Sequence, residues 1–242
     1  GRSLLFIPGP TNVPDRILRA MHRPQEDHRS PDHPTLVRGI FEDLKPVFGT
    51  TTGRTFVFPS SGSGMWETSL INTLAPGAKV LVVRKGQFSH LFADICTRLG
   101  YRPEIIDVEW GEASPPDHIE AALAADREHD IQAVCVVHHE TATGVTSDIP
   151  AIRAAIDAAK HPALLFVDGV SAIASIDFQF DAWGVDASIT GSQKGFMMPA
   201  GLAILCVSEK ALAARKAATM RRCYFDFDDM TRTNKDGFFP YT

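Results

Sequence analysis

Between Thr55 and Asp168 the chain alternates short apolar runs with stretches of helical periodicity, and no other feature narrows its possible folds so far. The pattern predicts strands over 55–59, 79–84, 102–107, 132–138 and 163–168, with helices over 64–74, 87–99, 116–126 and 149–159 between them. Strands separated by helix-length segments pair in parallel, with the helices as crossovers. Ala133-Val134-Cys135-Val136-Val137 and the run from Ala163 to Val167 are apolar on both faces, so helices are expected on both sides of the sheet. Two later runs, Val185 to Thr190 and Leu202 to Val207, are joined by a link with no helical pattern, too short for a parallel crossover. The expected class is therefore α/β: a mostly parallel sheet with one antiparallel strand and helices on both faces.

Ahead of this core, Arg2 to Ile7 is an apolar run that stops at Pro8-Gly9-Pro10, which reads as an N-terminal arm ending in a rigid turn. Pro14 suits the first turn of a short helix behind Asn12, and His28 to His33 is a polar connector. From Pro34 onward Leu36, Val37, Ile40, Phe41, Leu44 and Phe48 recur at helical spacing, predicting a helix with one buried face. The division that follows is an arm and connector over 1–35 and one large domain over 36–242. A net charge of −5 with scattered basic residues argues against a nucleic-acid partner. The longest uncharged run, Gly195 to Ser208, is too short for a bilayer and is broken by Pro199 and Gly201, so no membrane partner is expected. Cys96, Cys135, Cys206 and Cys223 show no paired spacing, which fits a reducing compartment. The chain begins at Gly1 without a methionine and stops at Thr242 with no closing helix, so both ends read as cut.

Three stretches carry chemistry. Thr190 to Gly201, Thr-Gly-Ser-Gln-Lys-Gly-Phe-Met-Met-Pro-Ala-Gly, sets Lys194 in a Gly/Ser-rich turn between two apolar runs. A lysine held there is desolvated, loses proton affinity and becomes a usable amine nucleophile; taken alone, the stretch also reads as a loop with a solvated lysine. Ser60-Ser61-Gly62-Ser63-Gly64 follows a strand and opens a helix, where backbone N–H groups and hydroxyls converge on an anion, or where Ser63 merely caps the helix. A dinucleotide fingerprint needs glycine where Glu67 stands, and no Gly-Lys-Ser/Thr follows for a P-loop. Asp168 ends an apolar run at the sheet edge where α/β ligands collect, or else caps a turn. His138 and His139 invite a metal reading, but adjacent residues at a strand end point to opposite faces, and no metal is expected. A phosphate cradle, a strand-end carboxylate and a lysine in a glycine-rich turn together match what pyridoxal phosphate requires: an anchor, a partner for the pyridine nitrogen and a Schiff-base amine. Phe88 or Trp66 supplies an aromatic face for the ring.

The sequence resembles the class V aminotransferases. The resemblance lies in Pro8-Gly-Pro-Thr-Asn-Val-Pro, Glu26-Asp-His-Arg-Ser, Ser61-Gly-Ser-Gly-Met-Trp-Glu, Gly86-Gln-Phe-Ser-His-Leu, His139-Glu-Thr-Ala-Thr-Gly-Val-Thr, Val167-Asp-Gly-Val-Ser and Gly191-Ser-Gln-Lys-Gly, which together cover nearly the whole chain. It implies a fold type I pyridoxal-phosphate enzyme, a homodimer with its active sites at the subunit interface. By the same resemblance Ser63, Gly64 and Met65 fall at the cofactor phosphate with Gln193 beside it, and Phe88 stacks on the ring. Thr141 falls at the ring hydroxyl, Asp168 at the pyridine nitrogen and Val170 against the ring, while Lys194 is the Schiff-base lysine. Thr242 matches a contact to the neighbouring subunit's phosphate, and Phe239 stands where related aminotransferases commonly carry tyrosine.

The implied activity is transfer of the amino group of serine to glyoxylate, giving hydroxypyruvate and glycine, with Lys194 and Asp168 as catalytic residues. Alanine as donor and a non-catalytic α/β dimer module are the alternatives. Gln193 stands where the cysteine desulfurase branch carries histidine, which counts against that chemistry. The family's C-terminal small domain, with the arginine that grips the substrate carboxylate, has no counterpart before Thr242. The implied compartment is the cytoplasm of a bacterium or the peroxisome of a eukaryote.

Overall fold

The structure, a computed structural model, describes residues 4–240. After the arm, α1 (Asp15–Met21) and α2 (His33–Phe48) lead into β1 (Arg54–Ser60), α3 (Gly62–Thr73), β2 (Lys79–Arg84), α4 (Gln87–Arg98) and β3 (Arg102–Asp107). Then come α5 (Pro116–Ala125), β4 (Ile131–Val137), the small hairpin β5 (His139–Glu140) and β6 (Val145–Thr146), α6 (Ile149–Ala158), β7 (Leu164–Asp168), β8 (Ala187–Gly191) and β9 (Gly201–Val207). Two helices, α7 (Glu209–Ala214) and α8 (Phe227–Asn234), follow. The main sheet has seven strands in the order β1-β9-β8-β7-β4-β2-β3. β3, β2, β4, β7 and β8 are mutually parallel, and β9 runs antiparallel to both its neighbours. It is the antiparallel strand that the short Lys194 link required.

Alternation along each strand separates two cores. Val80, Val82, Ala133, Cys135, Leu164 and Phe166 join Trp66, Leu70 and Phe92 of α3 and α4 on one face, where Phe227 and Met230 of α8 also pack. Leu81, Val83, Val134, Val136, Leu165 and Val167 face the other way, against Leu44 and Phe48 of α2, Ile119 and Leu123 of α5 and Ile152 and Ile156 of α6. Each buried Val, Leu, Ile, Phe or Met among them contributes about 1.5–3 kcal/mol, which is why the central strands tolerate so few polar residues. Cys96, Cys135 and Cys206 are buried within these cores. Among the described residues no helix is long and apolar enough to cross a membrane.

Three details depart from the sequence reading. α2 buries Val37, Leu44 and Phe48 but leaves Leu36 and Ile40 52% and 42% exposed, because its apolar stripe is wider than the sheet edge beneath it. α3 starts at Gly62 rather than 64, so Ser61 is the residue before the helix and Ser63 lies in its first turn. α8 was not expected at all; its first N–H groups are capped by the Asp226 carboxylate, which accepts from Asp228 and Asp229 at 2.7 and 3.0 Å.

Candidate active site

Register places Val137 and Asp168, the last residues of β4 and β7, beside Ile189, two residues before the end of β8. A cavity of about 160 Å³ opens there, lined by residues of all three strand ends and of α3 and α4. Ser63, Phe88, Thr141, Asp168, Val170, Gln193 and Lys194 all reach its wall. A larger groove of about 600 Å³ lies elsewhere, lined mainly by apolar side chains such as Val57, Phe58, Leu202 and Phe239, with neither Lys194 nor Asp168 in it. The chemistry selects the smaller cavity.

Asp168 is nearly inaccessible to solvent, and burial pushes its carboxyl up to about 7. Its oxygens accept hydrogen bonds from the Val170 N–H at 2.8 Å and from the Trp66 indole N–H at 3.1 Å. Both bonds, and the Lys194 charge, favour the ionised form but do not offset the lost hydration. Lys194 follows β8 in a loop closed by Ser192, whose hydroxyl donates to the Pro199 carbonyl at 2.6 Å and accepts from the Leu202 N–H at 3.2 Å. Burial lowers the proton affinity of Lys194, and Asp168 opposes that shift. Its Nζ donates to the Pro8 carbonyl at 3.0 Å, so the N-terminal arm lies directly over the amine. Thr11 ties the arm down, its N–H donating to the Gln193 carbonyl at 3.0 Å and its hydroxyl reaching the Gln193 and Lys194 carbonyls at 3.2 and 3.3 Å. Gly9, at φ +155°, is needed here because a Cβ would stand 2.6 Å from Lys194 Nζ.

At the other end of the cavity the first turn of α3 offers backbone N–H groups with no helical acceptor, and Ser61 makes no side-chain cap to them. Gln193 Oε1 is buried without a partner. An uncapped helix N-terminus beside the Ser63 hydroxyl suits a phosphate, and the buried Asp168 carboxyl suits a basic ring nitrogen, so the donor set fits pyridoxal phosphate. Thr141 Oγ1 lies 2.5 Å from Ser171 Oγ, a second hydroxyl on the cavity wall that the sequence did not single out.

Not every expected residue converges. Gly64 sits in the first turn of α3 but not on the cavity wall, and Met65 is buried in the core with its N–H donating to the Ser61 carbonyl at 3.3 Å. Trp66 also lines the cavity; it stacks on Phe92 with ring centroids 5.2 Å apart and donates its indole N–H to Asp168. The two adjacent histidines are held apart: His138 packs against Phe178 and Trp183, while His139 bonds Thr146 Oγ1 at 2.8 Å. Phe239 lines the larger groove beside Phe41, and Thr242 lies outside the described residues.

Comparison with known proteins bears on this arrangement. Serine–glyoxylate aminotransferase of Methylorubrum extorquens is 57% identical over 100% of this chain and 61% of its own length. L-aspartate–glyoxylate aminotransferase of Paracoccus denitrificans is 51% identical over 98% of the chain and 60% of its own length. The chain thus spans about three fifths of the curated relatives it matches. A crystal structure of an aspartate aminotransferase of subgroup IV from Thermus thermophilus superposes with a TM-score of 0.90 at 30% identity, covering 99% of this chain and 66% of that one. The family model described as aminotransferase class-V matches residues 4–223, nearly everything that forms the sheet and the cavity, and the chain belongs to that family.

Proposed function

We propose that the chain holds pyridoxal phosphate through Lys194 and serves an aminotransferase that moves the amino group of serine to glyoxylate. The observation that carries this reading is the meeting, in one cavity, of the partly desolvated Lys194 amine, the buried Asp168 carboxyl and the uncapped first turn of α3. Bound there, the cofactor supplies an electron-withdrawing ring that stabilises negative charge at the substrate α-carbon. The chain's own groups do the rest. Ser63, the backbone of the α3 first turn and Gln193 hold the phosphate, with Gly64 contributing only main chain. Phe88 and Val170 confine the ring, and Thr141 with Ser171 meets its hydroxyl. Asp168 would face the ring nitrogen and, as the carboxylate that the Val170 and Trp66 N–H groups favour, would keep that nitrogen protonated. Lys194 Nζ would move the α-proton as general base and then acid, and burial, by lowering its proton affinity, favours the neutral amine that a base requires.

Serine as donor rests on the 57% identical relative, while the aspartate-named relative at 51% marks the alternative to test beside alanine. A homodimer with the site at the interface is part of the same reading, supported by the apolar arm over Lys194, whose Phe6 is 91% exposed. The test is the visible spectrum of the purified protein before and after borohydride, with peptide mapping of the reduced product. A pyridoxyl group on Lys194 is expected; its appearance on Lys85 or Lys160 refutes the assignment. Donor preference follows from glyoxylate-dependent turnover of serine, alanine and aspartate by the same preparation.

A further inference from the structure

Glu140 has no role in the reading above, yet it is fully buried a single residue from the cavity wall. Its Oε1 accepts from the Phe88 N–H at 3.1 Å and the Ala142 N–H at 3.3 Å. Its Oε2 accepts from the Ser89 N–H and the Ser89 hydroxyl, both at 3.1 Å. One carboxylate therefore takes four hydrogen bonds, three of them from the first turn of α4, the turn that carries Phe88. The Glu140 main chain binds the other side of the site, its carbonyl accepting from the N–H groups of Thr143 and Gly144 at 3.2 and 2.8 Å and so shaping the turn that presents Thr141. Gly86 makes the approach possible, since a Cβ there would lie 2.6 Å from Glu140 Cδ.

A buried carboxylate is costly unless compensated. Compensation comes from these donors, from the N-terminal end of α4 and from Lys85, fully buried nearby, whose Nζ donates to the Val145 carbonyl at 3.3 Å. Burial pulls the Lys85 amine down to about 8, and the Glu140 charge works against that fall. The arrangement is more elaborate than capping a surface helix requires, and the two turns it joins carry Phe88 and Thr141, both on the cavity wall.

We propose that Glu140 is a positioning residue that sets Phe88 over the cofactor ring by clamping the first turn of α4 to the Thr141 turn; this rests on the cofactor reading above. Glu140→Gln keeps the shape, but its NH2 must face N–H donors on one side, so one pair of bonds is lost. With pyridoxal phosphate as the probe in an absorbance titration, the dissociation constant is expected to rise about ten- to a hundredfold. In the cofactor-free protein, amide hydrogen exchange over 86–89 is expected to accelerate while that of the β4 and β7 amides stays unchanged.

The decisive measurement is a double-mutant cycle with Phe88→Leu. If Glu140 acts through Phe88, Glu140→Gln weakens cofactor binding far less in the Phe88→Leu background than in the native one. Equal losses in both backgrounds, or an unchanged dissociation constant in the single variant, overturn the proposal. Should Glu140→Gln not fold, Ser89→Ala removes one of the four bonds, and the same non-additivity with Phe88→Leu, on a smaller loss, is required of it. Absence of any pyridoxyl label on Lys194 in the unsubstituted protein defeats the cofactor reading instead, and so is distinguishable from failure of this one.

Discussion

Asp168→Asn should make the cofactor-free protein more stable at pH 8 and less stable at pH 4. Asp168 is 3% exposed, and burial carries its carboxyl from 3.8 to about 7. An unfolded chain ionises this group near its ordinary value, so across that window the folded state holds a proton that the unfolded state has released. Stability therefore falls as pH rises through the window; the penalty is absent below about pH 4 and complete above about pH 7. At about 1.4 kcal/mol per pH unit it reaches roughly 4 kcal/mol. Asparagine escapes the penalty, and its carbonyl still accepts from the Val170 N–H. Its NH2, however, faces the Trp66 indole N–H, and leaving that buried donor unsatisfied costs about 1–3 kcal/mol at every pH. The variant is thus expected to exceed the native protein by about 1–3 kcal/mol at pH 8 and to trail it by a similar amount at pH 4, the curves crossing between. Urea midpoints of the two cofactor-free proteins from pH 4 to 8.5 measure this directly, and the other titrating groups cancel in the difference. Parallel curves would refute the argument, because they would mean that the carboxyl is not desolvated. The same substitution is expected to remove most transamination, and a change that stabilises the fold while abolishing activity marks a group retained for function.

Two further outcomes follow from the cavity. Ser63→Ala is expected to weaken pyridoxal phosphate binding by about 1–3 kcal/mol, the cost of one hydrogen bond to a charged group, and an unchanged dissociation constant would move the anion site away from α3. Gly9→Ala places a methyl group where Lys194 Nζ lies 2.6 Å away, so the arm must lift or the lysine must turn. The rate of borohydride labelling of Lys194 should then change markedly, with some loss of thermal stability from the strained backbone at residue 9, and labelling at the native rate would show that the arm does not lie over the amine in solution.

The α/β sandwich was legible because a parallel sheet between two helix layers must be apolar on both faces, and Ala133 to Val137 and Ala163 to Val167 announce that locally. The antiparallel β9 was legible for a negative reason, since the Lys194 link is too short and too rich in glycine to cross over. α8 left no such trace: it is an acidic helix with Phe227 and Met230 as its buried anchors, and it docks on strands far away in the chain. The apolar stripe of α2 was real, yet periodicity does not say how wide a surface waits to cover it, and Leu36 and Ile40 remain outside.

A similar division runs through the site. Lys194, Asp168, Ser63 and Phe88 were named in advance because each stands at a strand end, in a strand-connecting turn or at a helix start, next to residues whose turn chemistry is local, whereas Thr141, Val170 and Gln193 came from the resemblance to class V aminotransferases. Trp66, Ser171, the Glu140 side chain and the Pro8 carbonyl were not given their roles, because each acts on a partner distant in sequence. Trp66 reaches Asp168 across 102 positions and Lys194 reaches Pro8 across 186. Such pairings exist only once the sheet has set strand order and register. Their effect is nonetheless chemical: the indole N–H tempers the Asp168 carboxyl, and the Pro8 carbonyl takes the Lys194 amine. Residues foreseen from motifs thus supply the reactive groups, whereas those revealed by the fold set the orientation and proton affinity on which the reactive groups depend. Substitutions in the second set should therefore alter pH profiles and cofactor affinity before they alter which residue the cofactor labels.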